Sequence, residues 1–206
     1  MTDKSETSRI EAFSDGVIAI AATLLILEVK VPALDGVQSS ADLWRALVHL
    51  WPSYFAFVYS FGTIFVAWVN HHHAISFIAT PNRSFVYANG FLLMTVTFLP
   101  FPTALLAEYL TTPYAQPAIM FFCASSLLHN LGWLGLIQTS LRADGTLKSQ
   151  AVAEVVDMRR ASLVGGAVYL GTTVLAGWQP IAALVINTSM WLLWIGMSLT
   201  AGRRRR

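Results

Sequence analysis

Charge is missing from long, separate parts of this chain, and that absence constrains its fold more than any other feature. No Lys, Arg, Asp or Glu occurs from Ala46 to Asn82, from Ser84 to Ala107, from Tyr109 to Leu141 or from Ala161 to Gly202. A helix that crosses a bilayer needs about 20 apolar residues at ~1.5 Å rise each. Each of the first three stretches fits one such helix, the longer two with an extension beyond the bilayer. The fourth is long enough for two, and Gly177-Trp178-Gln179-Pro180 interrupts it with a turn signal. Five spans follow. Only 12% of the 206 residues are charged, about half the share of a soluble domain. The chain cannot coat a globular surface, and no soluble domain is expected.

The N-terminal segment differs from the others. Its uncharged part runs only from Gly16 to Leu27, between Asp15 and Glu28. That covers about 18 Å, short of the ~30 Å hydrocarbon core. A spanning helix here brings charged ends into the membrane zone, where such groups face a bundle interior or a water-filled cavity. A signal peptide cut near Val31-Pro32-Ala33 is the alternative, but Glu11 and Asp15 stand where a basic n-region belongs. The segment reads as a sixth span. The expected architecture is an all-α polytopic membrane protein, one six-helix domain over residues 1–206. Its helices are expected at about 9–30, 43–76, 83–109, 114–140, 157–177 and 180–202.

With six spans and a cytoplasmic N-terminus, all of the 13 Lys and Arg except Lys30 and Arg45 lie on the inside. This satisfies the positive-inside bias and puts both termini in the cytoplasm. Arg203 to Arg206 then read as a topology anchor with some attraction to acidic head groups, not as a nucleic-acid site. The stretch from Arg142 to Arg160, with Asp144-Gly145, reads as a cytoplasmic loop with a helical end. Cys123 is the one cysteine, so no intrachain disulfide forms.

At helical spacing, Gly16, Ile20, Thr23 and Leu27 alternate by four and three residues, with Leu24 beside them. That is the seam of a left-handed helix assembly. Such a stripe fits packing core as well as pore lining. Ser14 and Asp15 point away from it toward neighbouring helices. The segment Arg9-Ile10-Glu11-Ala12-Phe13-Ser14-Asp15 matches the RxxxFSD signature at the start of the first helix in the transmembrane protein 175 family. These are potassium channels of bacteria and of animal endosomes and lysosomes. "GVIAIAATLLILEVKVP" resembles the rest of that family's first helix. Trp68 with the following "NHHH" resembles the end of its second helix, and "NGFLLMTVTFLPFPTALLAEY" its third.

The resemblance implies a homotetramer around a central pore lined by the first helix, as in bacterial members with one six-helix unit per chain. It implies a potassium-permeable channel in a prokaryotic plasma membrane, with no cofactor and K⁺ as the permeant ion. Aliphatic rings replace a carbonyl filter: Ile20 is the narrowest, Leu24 and Leu27 continue the lining, and Thr23 supplies a hydroxyl layer linked to cation selectivity. Hydrophobic constrictions gate by dewetting, and K⁺ loses its water more readily than Na⁺. Arg9, Phe13, Ser14, Asp15, His72 and Asn89 are expected to form a network that ties the first helix to the second and third.

Other residues have plainer readings. Thr23 can bond back to the carbonyl of residue 19. His71, His72 and His73 project ~100° apart on a helix and cannot share one ion, so no metal site is expected. Pro100 and Pro102 are expected to break or kink the third helix near its outer end. Glu28 and Glu108 stand where an outer vestibule would lie, or are solvated loop charges. The buried ionisable groups are few and gather at the cytoplasmic ends, so an enzyme is disfavoured. The remaining rival is a secondary transporter, with Asn130 and Asn187 as its midplane polar site.

Overall fold

The computed structural model describes residues 2–33, 36–142 and 145–203, with side chains from residue 6 to residue 196 within those ranges. Arg204 to Arg206, Asp144 and the side chains of Lys4 and Arg203 lie outside the described residues. The fold is a bundle of helices. They are α1 (Thr2–Leu24), α2 (Ser40–His49), α3 (Trp51–Ser76), α4 (Arg83–Phe98), α5 (Pro100–Tyr109), α6 (Ala115–Arg142), α7 (Val152–Leu175) and α8 (Pro180–Arg203). By length and composition, four helical rods among the described residues are able to cross a membrane: Glu6–Glu28, Trp51–Ser76, Arg83–Tyr109 and Ala115–Arg142. A shorter apolar helix covers Pro180–Gly196. Helix α7 opens with Glu154, Asp157, Arg159 and Arg160, which lowers the hydropathy of its first turns.

Helix ends differ from the expected positions for local reasons. The first helix starts at Thr2 rather than near residue 9, because no breaker separates its polar leading turns from Arg9. It tightens to a 3₁₀ turn at Leu25–Glu28. Pro32 then disfavours helical geometry at Val31. The stretch expected as one helix over 43–76 is two helices. At Leu50 the chain turns with φ −75° and ψ 5°. A continuous helix would drive the Pro52 ring into the carbonyl of Val48, whereas Pro52 fits within the first turn of α3. Ser39 caps α2: its Oγ accepts from Asp42 N at 3.2 Å and donates to the Asp42 carboxylate at 2.7 Å. The third span is interrupted at Leu99, where Pro100 starts α5. Leu99 keeps helical dihedrals, φ −55° and ψ −35°.

Apolar clusters hold the bundle at its helix crossings. Ile18, Ala21 and Leu25 of the first helical rod pack with Ile64 of α3 and Leu93 and Val96 of α4. Ala56, Leu106, Ile119, Phe122, Ala176 and Ala183 gather α3, α5, α6, the end of α7 and the start of α8. Ile75, Phe85, Leu92 and Leu136 join α3, α4 and α6. At the α4–α6 crossing, a Cβ on Gly132 would stand 3.1 Å from Leu92 Cα, so the missing side chain sets how closely the two backbones approach.

Thr146 to Lys148, ahead of α7, are pinned to the turn between α3 and α4. Ile78 and Leu147 form an isolated antiparallel bridge. Ala79 N donates to Thr146 O at 2.8 Å, and Lys148 N donates to Phe77 O at 3.0 Å. Asn82 Nδ2 donates to Thr146 Oγ1 at 2.7 Å, while its Oδ1 caps α4 at Phe85 N. Gly145 reaches this geometry with φ +78°, a left-handed conformation that glycine adopts without a Cβ clash.

Candidate functional site

The first helical rod, α1 with the 3₁₀ turn that continues it, has two opposed faces. Ser14, Ile18, Ala21 and Leu25 are buried, at 3% exposure or less. They recur at spacings of four, three and four, and they pack on α3 and α4. The other face carries Gly16, Ile20, Thr23, Leu24 and Leu27, all exposed in the single chain. Ile20 is 60% exposed and Leu27 65%. The stripe marked by sequence spacing is therefore part of the surface of this helix that its own chain leaves uncovered, together with Phe13, Ala19 and Ile26. Thr23 Oγ1 donates to the carbonyl of Ile20 at 2.9 Å, one residue away from the expected partner. With its proton committed, the hydroxyl presents only lone pairs, an acceptor for water or a cation.

The polar residues at the start of this helix reach α3 and α4. Ser14 Oγ donates to Ile10 O at 2.8 Å and accepts from Asn89 Nδ2 at 3.0 Å. Asn89 Oδ1 lies 2.7 Å from His71 Nε2. The amide nitrogen is the one group that can serve Ser14, so its oxygen faces the histidine and His71 Nε2 carries the proton. Asp15 accepts from Trp68 Nε1 at 2.8 Å. Ser14 and Asn89 thus share one buried chain with His71, and Asp15 makes a separate contact with Trp68.

Of the three consecutive histidines, His71 rather than the expected His72 meets Asn89. His72 does not meet Asn89; its Nδ1 pairs with Glu11 Oε1 at 2.8 Å. His71 occupies the buried position, and His73 pairs with Glu154 of α7 at 2.9 Å. Rotation of ~100° per residue sends three consecutive rings to three different helices. Arg9 and Phe13 also stand apart from these contacts. Both are exposed, and Arg9 forms no ion pair among the described residues. Sequence reading named neither Glu11 nor Trp68 as a site residue. A signal was available: Trp68 and His72 lie four residues apart, on one face of α3, as do Glu11 and Asp15 on α1.

The remaining candidates are also placed. His129 uses both ring nitrogens, with Nδ1 3.0 Å from Thr95 Oγ1 and Nε2 accepting from Trp133 Nε1 at 3.2 Å. Asn187 is fully buried. It donates to Ser126 Oγ at 3.1 Å and accepts from Thr172 Oγ1 at 3.3 Å, a cross-brace of α6, α7 and α8. Asn130 is also buried, and its Oδ1 has no hydrogen-bond partner among the described residues. Glu108 is exposed and Glu28 half-buried.

Comparison with known proteins follows the same segment of chain. Residues 9–100 match the sequence signature of the family described as endosomal/lysosomal potassium channel TMEM175. A potassium channel of Chamaesiphon minutus is 49% identical over 155 residues, 75% of this chain and 76% of that protein. The chicken endosomal/lysosomal proton channel TMEM175 is 30% identical over 147 residues, 68% of this chain but only 29% of that longer protein. The crystal structure of a lysosomal potassium-selective channel TMEM175 homolog from C. minutus superposes with a TM-score of 0.85. Its sequence identity is 40%, covering 94% of this chain and 98% of that one. The chain belongs to the TMEM175 family.

Proposed function

We propose that this chain forms a potassium-permeable cation channel, assembled as four copies around a pore lined by α1. The family is described as a potassium channel and not as an enzyme, and the C. minutus relative carries the same function in its name. The observation that carries the pore assignment is the uncovered stripe of α1. An exposed apolar stripe would also suit lipid, but the uncharged part of α1 covers only about 18 Å. Such a short apolar length favours a lining position, where water enters from both ends of the helix. Four copies bring Ile20, Leu24 and Leu27 into successive aliphatic rings, with Thr23 as a layer of hydroxyl acceptors between them.

Dehydration then sets the barrier. Ile20 side chains offer no oxygen to replace the hydration shell, so the ion that loses water at lower cost passes more readily, and that ion is K⁺. Ser14, Asp15, Asn89, His71 and Trp68 hold the cytoplasmic half of α1 against α3 and α4, and so control whether the ring moves. The chain crosses the membrane six times in this reading, with α7 and α8 as the last two spans. The distribution of Lys and Arg supports cytoplasmic termini in a prokaryotic plasma membrane. The name of the chicken relative supports a second permeant ion, the proton, through the same pore.

Reversal potentials of the purified protein in liposomes, with K⁺ on one side and Na⁺ on the other, test the reading. The wild type is expected to reverse toward the K⁺ equilibrium. Ile20→Asn is expected to conduct more and discriminate less, with a tetrameric mass retained. Slow, saturable uptake unchanged by Ile20→Asn and abolished by Asn130 or Asn187 substitutions would favour a secondary transporter instead.

A further inference from the structure

Helix α2 has no buried residue, and none of its side chains joins the apolar clusters found among the described residues. Its 10 residues cover about 15 Å, too little to cross a bilayer. The Ser39 cap and the Arg45–Asp42 pair at 2.5 Å support the helix locally, and the break at Leu50 separates it from α3. At ~100° per residue its side chains sort into two faces. Leu43, Trp44, Leu47 and Val48 share one, and Asp42, Arg45 and His49 the opposite one. The apolar face is open: Trp44 is 70% exposed and Val48 69%. Because Arg45 and Asp42 neutralise each other, the polar face offers little net charge.

The exposed face of α3 locates α2 in depth. Trp51, Tyr54, Val58, Phe61, Phe65 and Trp68 are all exposed and recur at spacings of three and four. Trp51 and Tyr54 stand at one end of this stripe and Trp68 at the other, with Val58, Phe61 and Phe65 between them. From Trp51 to Trp68 is about 26 Å of helix, close to the ~30 Å hydrocarbon core. Trp and Tyr gather where hydrocarbon gives way to head groups, so Trp51 and Tyr54 mark one boundary of the bilayer along α3. Leu50 joins α2 directly to that boundary. At this depth an amphipathic helix lies with one face among the acyl chains and the other in water. Held upright in water, α2 would leave Trp44 and Val48 exposed.

We propose that α2 is a lipid-docking helix, seated in the boundary between head groups and acyl chains with Leu43, Trp44, Leu47 and Val48 inserted. Its partner is the phospholipid surface, held by apolar insertion and not by charge. With both termini in the cytoplasm, this is the outer leaflet. The docking goes beyond the channel reading and requires only that the chain be embedded in a membrane, since it is read by depth and not by flux.

Spin labels on single added cysteines, in the full chain reconstituted into phosphatidylcholine vesicles, test the docking. Cys123 is fully buried, so the label goes to the added thiol. Trp44→Cys and Val48→Cys report on the apolar face, and each leaves the other anchor in place. Arg45→Cys and His49→Cys report on the polar face. The two apolar-face labels are expected to meet dissolved oxygen in preference to a water-soluble nickel chelate. Their ratio of oxygen to nickel accessibility is expected to exceed that of the polar-face labels by about threefold or more. The same contrast is expected in vesicles with added phosphatidylglycerol. Apolar-face labels reached by neither reagent would overturn the proposal in favour of contact with a second copy. Equal nickel access at all four positions would overturn it by placing α2 in water. A contrast that arises only with phosphatidylglycerol would overturn apolar insertion as its cause.

Discussion

Ser14, Asn89 and His71 form a chain in which each partner restricts the next. Ser14 has given its proton to Ile10, so it needs a donor from Asn89, and the amide then offers its oxygen to His71. All three side chains are buried. Replacing His71 by Ala leaves Asn89 Oδ1 without a donor, at an expected cost of about 1–3 kcal/mol. His72→Ala breaks a pair whose histidine side chain is 64% exposed, where ion pairs contribute about 0–1 kcal/mol. Thermal unfolding in detergent is expected to separate the two variants clearly, with His71→Ala melting lower. Equal melting temperatures would contradict the placement of His71 in the buried position. At Thr23, substitution by Val keeps the shape and removes the outward lone pairs. In liposome recordings this is expected to reduce discrimination between K⁺ and Na⁺ while the tetrameric mass persists.

Helix contacts are set by single positions along each element. Gly132 and Gly135 both lie on α6, three residues apart, yet they differ in surroundings. A Cβ on Gly132 meets Leu92 Cα at 3.1 Å and Thr95 Oγ1 at 3.3 Å, whereas nothing lies within 4 Å of one on Gly135. Gly132→Ala is expected to push α4 away from α6 and destabilise by about 1–3 kcal/mol. Gly135→Ala is expected to be neutral or to stabilise by up to about 1 kcal/mol through helix propensity. Thermal stability of the two variants in detergent checks the contrast. Breaks within elements follow the same local logic. Pro52 and Pro100 were visible in the sequence, and Pro100 marked an interruption where one occurs. The break at Leu50 was not anticipated, because Ala46 to Asn82 contains no charge to mark a boundary. The Ser39-Ser40-Ala41-Asp42 capping pattern was the available signal for the start of α2.

For the molecule as a whole, topology is the property that follows from charge placement. Cys123 is fully buried, so a single added cysteine reports on its own surroundings. Tyr114→Cys, between α5 and α6, is expected to react with an impermeant maleimide on intact cells. Ser149→Cys, before α7, is expected to react only after lysis. The reverse pattern would invert the proposed orientation.

The sequence by itself determined where apolar helical rods lie and which stripe of α1 carries Ile20, Thr23 and Leu27. Both are properties of one helix: charge resists transfer into hydrocarbon, and side chains advance by ~100° per residue. The residues that spacing marked lie on the exposed side of the helix in the single chain, beside Phe13, Ala19 and Ile26. Only the tertiary structure decided that His71 rather than His72 meets Asn89, that Trp68 holds Asp15, and that Arg9 and Phe13 stand outside these contacts. Those pairings depend on the depth and rotation at which α3 and α4 cross α1. Packing of Ile18, Ile64, Leu93 and Val96 sets that depth and rotation, and no spacing within one helix encodes it.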